Sequence, residues 1–319
     1  MSSGTQCGRR KVLAAGLATG WWLLPAVGGG ALGGGALGAD SESQTFRIGA
    51  SMLLVGEVNE NDARAAIRTW ADVISRQTGM RIEYEPTVLA SSEHLLQAVR
   101  EGMVDGFAAT LPEYLQVARY VDPTRIMVEE DYVKAGEEYL ILAHQDSEIR
   151  TLSDLRGRNV LLYKTSTTSL VGDWLEALFN EANLGPPERF LAAVVPVPKL
   201  SRSVLPVFFR QADACLITRR GFDIMCEMNP QIARKLRVLA TSPKLVPVVM
   251  AFHKDCPADR ARRFETAVTG LHQTPVGRQV LTLFQSHGVV TAETSVLRTS
   301  EDLMRNAERL RERNGKARR

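Results

Sequence analysis

Cysteine is scarce in this chain: four in 319 residues, of which Cys7 lies in the basic-then-apolar N-terminal stretch and Cys215, Cys226 and Cys256 lie in the body. An odd number without paired spacing excludes a disulfide framework and a cysteine-based zinc site. Cys215 sits in the apolar run ACLI and reads as core, which leaves Cys226 with Cys256 as the pair open to oxidation. Histidine is sparse too. His94, His144, His253, His272 and His287 are scattered without ligand spacing, and no cysteine has a base beside it in sequence. The expectation is a protein that is not an enzyme and carries neither cofactor nor metal.

Acidic residues are absent from the first 39 positions, which hold Arg9, Arg10, Lys11 and then a long apolar, glycine-rich stretch ending in ALGA. Basic start, apolar middle and small-residue exit form the pattern of an export signal, with cleavage expected after Ala39. The pair Arg9-Arg10 resembles a twin-arginine signal, although Gly8 and Val12 depart from the usual neighbours. General secretion and an uncleaved anchor are the alternatives. No cysteine follows the apolar stretch, which argues against a lipid anchor. The chain has 39 basic and 36 acidic residues, so removing those three basic ones leaves 36 of each sign. A mature chain without net charge gives no bulk attraction for nucleic acid. Arg313, Lys316, Arg318 and Arg319 read as a solvated tail.

Beyond the leader, strand and helix patterns alternate. Residues 46–51, 81–86 and 104–109 read as strands, with helices over 61–78, 91–99 and 112–117 between and after them. A second series has strands at 138–144, 159–163, 192–197 and 212–218. Its helices cover 170–182, 201–209 and 220–228, the first with an apolar stripe through Leu170, Trp174, Leu178 and Ala182. Strands at 236–240 and 246–252 follow, and the remainder is mostly helical. Such order predicts parallel sheets covered by helices.

Parallel sheets bind ligands where strands end and helices begin. Three such places are rich in donors: Thr110 with Tyr114, the hydroxyl run 165–169, and Thr218-Arg219-Arg220. The run YKTSTTSLVG holds five consecutive hydroxyls, whereas one suffices to cap a helix. Hydroxyls beside unpaired backbone N–H groups suit the head of a phosphate, phosphonate, sulfate or carboxylate. A helix terminus contributes only about 0.3–2 kcal/mol, while micromolar affinity needs about 8 kcal/mol. Several donors from both sides of a cleft are therefore required. Lys164, Lys199 and Arg220 are further candidates whose ordinary reading is solvated surface.

Four segments carry a family likeness: EGMVDGFAATLPEY, DSEIRTLSDLRGRNVLLY, the triplet Thr167-Thr168-Ser169, and SVLPVFFRQADACLITRRGFDIMCEMNPQ. They resemble the PhnD-like phosphate, phosphite and phosphonate-binding proteins of ABC importers, spread over most of the mature chain. The resemblance implies an α/β fold of two Rossmann-like lobes joined by hinge strands, the type II periplasmic binding protein architecture. Residues 46–143 with 241–319 would form lobe 1, and 144–240 lobe 2. Thr167, Thr168 and Ser169 would hold the anion and Tyr114 would contribute from the opposite lobe, while Asp213 matches an acidic position of the family. Thr110, Thr218 and Arg219 complete the candidate site. The implied partners are a small anionic ligand and an ABC permease, with a sensor kinase as alternative. The protein would be a periplasmic monomer, touching membrane only through its partner or an uncleaved signal.

Overall fold

The computed structural model describes residues 45–55, 60–83, 91–283 and 286–316. The leader and the expected strand positions 84–86 lie outside these residues. The chain opens with β1 (Thr45–Ala50), α1 (Glu60–Thr78), β2 (Arg81–Glu83), α2 (Ser92–Arg100), β3 (Gly106–Thr110), α3 (Leu111–Val117), β4 (Ile126–Glu129) and α4 (Glu130–Lys134). It continues with β5 (Tyr139–His144), β6 (Asn159–Tyr163), α5 (Val171–Glu181), α6 (Pro187–Phe190), β7 (Ala193–Val197) and α7 (Leu200–Phe208). Then come β8 (Ala214–Thr218), α8 (Arg219–Met228), α9 (Gln231–Lys235) and β9 (Leu236–Thr241). It closes with β10 (Val248–Phe252), α10 (Ala258–Thr269), α11 (Pro275–Leu283), β11 (Val289–Ala292) and α12 (Arg298–Lys316).

Two sheets result, in the orders β11-β4-β10-β3-β1-β2 and β7-β6-β8-β5-β9. Each has a parallel nucleus, β2-β1-β3 in the first and β7-β6-β8 in the second. Both sheets are mixed rather than wholly parallel. β10 runs antiparallel to β3 and β4, and β5 runs antiparallel to β8 and β9. The reason is topological: a strand that enters a sheet from the other lobe starts at the edge where the parallel strands end.

The chain crosses between the sheets twice, and the crossings lie side by side. Glu137 and Leu245 exchange backbone hydrogen bonds of 2.8 and 2.9 Å, and Ser242 donates its N–H to the Tyr139 carbonyl at 2.9 Å. The crossings approach so closely at Gly136 that a Cβ there would stand 2.5 Å from the Lys244 Cβ; its φ of +71° also suits glycine. The first lobe therefore ends before β5, which is a fully buried strand of the second sheet, and not at residue 143.

One hydrophobic cluster lies between the first sheet and α1 with α10, where Phe46 and Phe264 stack at 4.1 Å. Another lies beneath α7 and α8 in the second lobe. A third is continuous from α2 and α3 through the crossings to α5 and α12. Helix α12, expected with lobe 1, bridges both lobes. Its first turn meets the second crossing, where Val246 donates its N–H to Ser300 Oγ at 2.8 Å. Its far end lies on α5 of lobe 2, with Arg311 Nη1 2.8 Å from Asp173 Oδ1. The short strands β4 and β11 and the small helices α4 and α9 were not anticipated. Four or five residues are too few for a period to show.

Burial raises the Asp173 carboxyl above its ordinary range, and Arg311 pulls it back. Replacing Arg311 with Gln should cost about 1–2 kcal/mol in urea unfolding. In an Asp173→Asn background the same change should cost clearly less. Equal costs in both backgrounds would show that this contact does not fasten α12.

Candidate functional site

Strand β6 delivers the hydroxyl run to the edge that faces the other lobe. There the chain turns through a short 3-10 helix, Ser166–Thr168, before α5 begins. Within the run the hydroxyls divide their work. Thr168 Oγ1 donates to the Thr165 carbonyl at 2.9 Å and accepts the Thr165 N–H at 2.9 Å, closing a capping box. Ser169 Oγ donates to the Pro247 carbonyl in the second crossing at 3.2 Å. Thr165 and Thr167 share a hydroxyl–hydroxyl contact of 2.7 Å. The Tyr139 hydroxyl donates to the Thr167 carbonyl at 2.7 Å, so the turn is held by both crossings. Ser166 and Thr167 stand at the first positions of the turn, whose backbone N–H groups have no partner within it.

At the end of β3, Thr110 is buried and caps α3. Its N–H and Oγ1 both donate to Glu113 Oε2, while Ser51 and Ser92 donate to Glu113 Oε1 at 2.7 and 2.5 Å. This knot joins the ends of β1 and β3 to α2. Tyr114 is buried in the continuous core, and burial, with Glu301 and Asp122 nearby, raises its phenol. At the end of β8, Thr218 Oγ1 accepts the Gly221 N–H at 3.0 Å and caps α8. Arg219 is held on the first crossing by Glu138, Nε to Oε2 at 2.9 Å.

Arg220, not Arg219, spans the lobes. Its Nη1 lies 2.8 Å from Glu129 Oε1 and 3.8 Å from Asp131 Oδ2. His287 Nδ1 meets the same Asp131 oxygen at 2.7 Å. Glu137 lies buried in the crossing beside them. Burial raises its carboxyl to about 7, against the pull of Arg220 and of the Glu138 and Arg220 N–H groups. Burial raises Glu129 as well, and Arg220 again opposes it.

Between the first sheet and its helices a cavity of about 230 Å³ opens towards the turn of lobe 2. Ala50, Ala108, Met127 and Met250 form its sheet wall, while Trp70 of α1 and Leu271 stand opposite. Its polar lining residues are Ser51, Glu129, Tyr132, Ser166, Thr167 and Ser286. Among the described lining residues there is no lysine, arginine or histidine.

Of the residues expected at the site, Thr167 alone lines this cavity. Ser166, outside the triplet expected to hold the anion, lines it too. Thr168, Ser169, Thr110, Thr218 and Arg219 spend their side chains on caps and crossings, and Tyr114 packs in the core. Lys164 and Lys199 are exposed. Asp213 sits at the opposite end of β8, 3.3 Å from Arg158 Nη1 and accepting the Asn159 N–H, so its role is structural. Cys215, Cys226 and Cys256 are free thiols, and burial pushes Cys215 up to about 12.

The family model described as the ABC transporter, phosphonate, periplasmic substrate-binding protein matches residues 55–297. The chain belongs to this family. Solved structures agree on the fold of this substrate-binding protein at low identity. PhnD1 from Prochlorococcus marinus, in complex with methylphosphonate, is 13% identical with a TM-score of 0.60, over 83% of this chain and 98% of that one. A binding component of an ABC phosphonate transporter from Pseudomonas aeruginosa is 15% identical at 0.58, over 83% and 87%. A Xanthomonas citri protein bound to ATP is 15% identical at 0.62, over 84% and 98%. No curated protein matches the chain significantly.

Sequence reading missed the acids of the substrate-binding protein's cleft. Glu129, Asp131 and Glu137 come from a short strand, a short helix and a crossing, and carry no motif. The folded chain holds the Glu137 proton more tightly than the unfolded one. Its contribution therefore favours folding below about pH 4.5 and is lost as pH rises through about 7, a difference of about 3 kcal/mol. Glu137→Gln keeps the shape without the titration. Between pH 5 and 8 the melting temperature of wild type should fall several degrees relative to the variant. Parallel curves would show that Glu137 is not a buried titrating group.

Proposed function

We propose that this periplasmic binding protein captures an organophosphonate or related oxyanion in the interlobe cleft and delivers it to an ABC permease. The observation that carries the reading is the hydroxyl-bearing part of the cavity lining that lobe 2 supplies. There a tethered turn, with the Ser166 and Thr167 hydroxyls and the backbone N–H groups of its first positions, faces the other lobe at the end of a parallel strand. Such groups hold an anion by hydrogen bonds without a counter-charge. Thr167 is the principal ligand residue in this proposal and Ser166 its neighbour. Thr168 and Ser169 act behind them by fixing the turn.

Ligand capture proceeds by hinge motion at the paired crossings, with ligand favouring the closed arrangement. The protein works as a monomer by capture and release rather than by bond making. Residues 1–39 serve as its export signal, of twin-arginine type, cleaved after Ala39.

Calorimetric titration of the mature protein with methylphosphonate, phosphite, phosphate and methylsulfonate tests this. Binding of at least one phosphorus oxyanion is expected, and Thr167→Val should weaken it about tenfold to hundredfold. Indifference of the affinity to Thr167→Val would remove the turn from the site.

A further inference from the structure

The cavity is more apolar than a small oxyanion requires. Ala50 and Ala108 are direct register partners on β1 and β3, Met250 is the partner of Ala108, and Met127 is the partner of Met250. One face of the sheet thus presents a row across four strands, Met127, Met250, Ala108 and Ala50, with the two small residues together at its β1 end. The opposite wall includes Trp70, whose ring is held edge-on by Phe264 at 5.7 Å between centroids. The alanines leave the space that larger side chains would fill, and both remain partly exposed. Strand positions that face a covering helix layer are ordinarily closed by packing. Here they bound an opening about 230 Å³ in volume.

A hydrated inorganic anion gains nothing from these walls, because every water it sheds goes uncompensated. The sole ionisable carboxylate among the described lining residues, Glu129, is paired with Arg220, and none of those residues is a lysine or arginine that would offset that loss. Hydrocarbon gains from them fully. An engineered apolar cavity of about 150 Å³ holds benzene, so this one accommodates a phenyl ring or a short alkyl chain.

We propose that the ligand is an alkyl- or arylphosphonate whose hydrocarbon body lies between the first sheet and α1, with its head group on Ser166 and Thr167. The head-group half rests on the function proposed above, whereas the hydrocarbon half rests on the cavity alone. Selectivity then follows the substituent: the bare head group, phosphate, is a poor ligand, and affinity climbs with apolar surface until the space is full.

The test titrates the mature protein with phosphate and with methyl-, ethyl-, propyl-, butyl- and phenylphosphonate, and separately with butan-1-ol and phenol. Trp70 fluorescence reports occupancy of the cavity. Affinity should rise about fourfold per added methylene from methyl to butyl, with phosphate weakest. Ala108→Leu, or Ala50→Val should that variant fail to fold, should cut the butyl-to-methyl affinity ratio about tenfold or more. A flat or falling series, or a rise that persists in the filled variant, overturns the proposal. Silence towards every phosphonate, with phenol still bound and lost on filling the cavity, overturns the anion reading and upholds the apolar body. Silence towards phosphonates and neutral probes alike overturns both.

Discussion

Two chain crossings, laid side by side and hydrogen-bonded at Glu137 and Leu245, are the constraint on which the rest of the molecule depends. Because they pair, β5 and β10 enter their sheets antiparallel to the strands they meet, and both lobes present the same kind of edge to one cleft. Because they touch at Gly136, no side chain separates them. The hydroxyl turn hangs from both: Tyr139 in the first crossing's strand grips the Thr167 carbonyl, and Pro247 in the second takes the Ser169 hydroxyl. The same Pro247 carbonyl accepts the Leu111 N–H at the start of α3. Movement at the hinge therefore reaches the turn and the end of β3 directly.

Electrostatics in the cleft are internally balanced rather than held open for ligand. Arg220 of lobe 2 answers Glu129 and Asp131 of lobe 1, and Arg219 answers Glu138. These half-buried pairs contribute modestly to stability, since desolvation offsets much of their attraction. Their larger effect is on placement: Arg219 and Arg220 are both engaged by carboxylates of the crossing and of lobe 1. In the proposed site, neutral donors beside an apolar wall would favour a ligand of mixed character over a bare ion.

Much of the fold was legible in the sequence because its signals are local and repeated. The stripe through Leu170 and Trp174, the apolar run at residues 139–144 and the alternation of strand with helix each depend on near neighbours, and the observed elements follow them. The family motifs extended this to two lobes. The lobe boundary at residue 143 was misplaced because β5 is hydrophobic on both faces, and burial on both faces says nothing about which sheet buries it. Helix α12 was placed with lobe 1 for a similar reason: its amphipathic face does not name its partner.

The site divides along the same line. The sequence by itself determined that five hydroxyls follow an apolar strand and that they exceed the needs of a cap. Only the tertiary structure decided which hydroxyls are spent. Thr168 closes the turn and Ser169 anchors it, because the crossing brings Pro247 within reach; Ser166 and Thr167 are left facing the cavity. It also brought Ala50 beside Ala108 and Arg220 beside Glu129, pairs 58 and 91 residues apart in the chain. Register and crossing geometry set such distances, and neither is written in any stretch short enough to carry a local pattern.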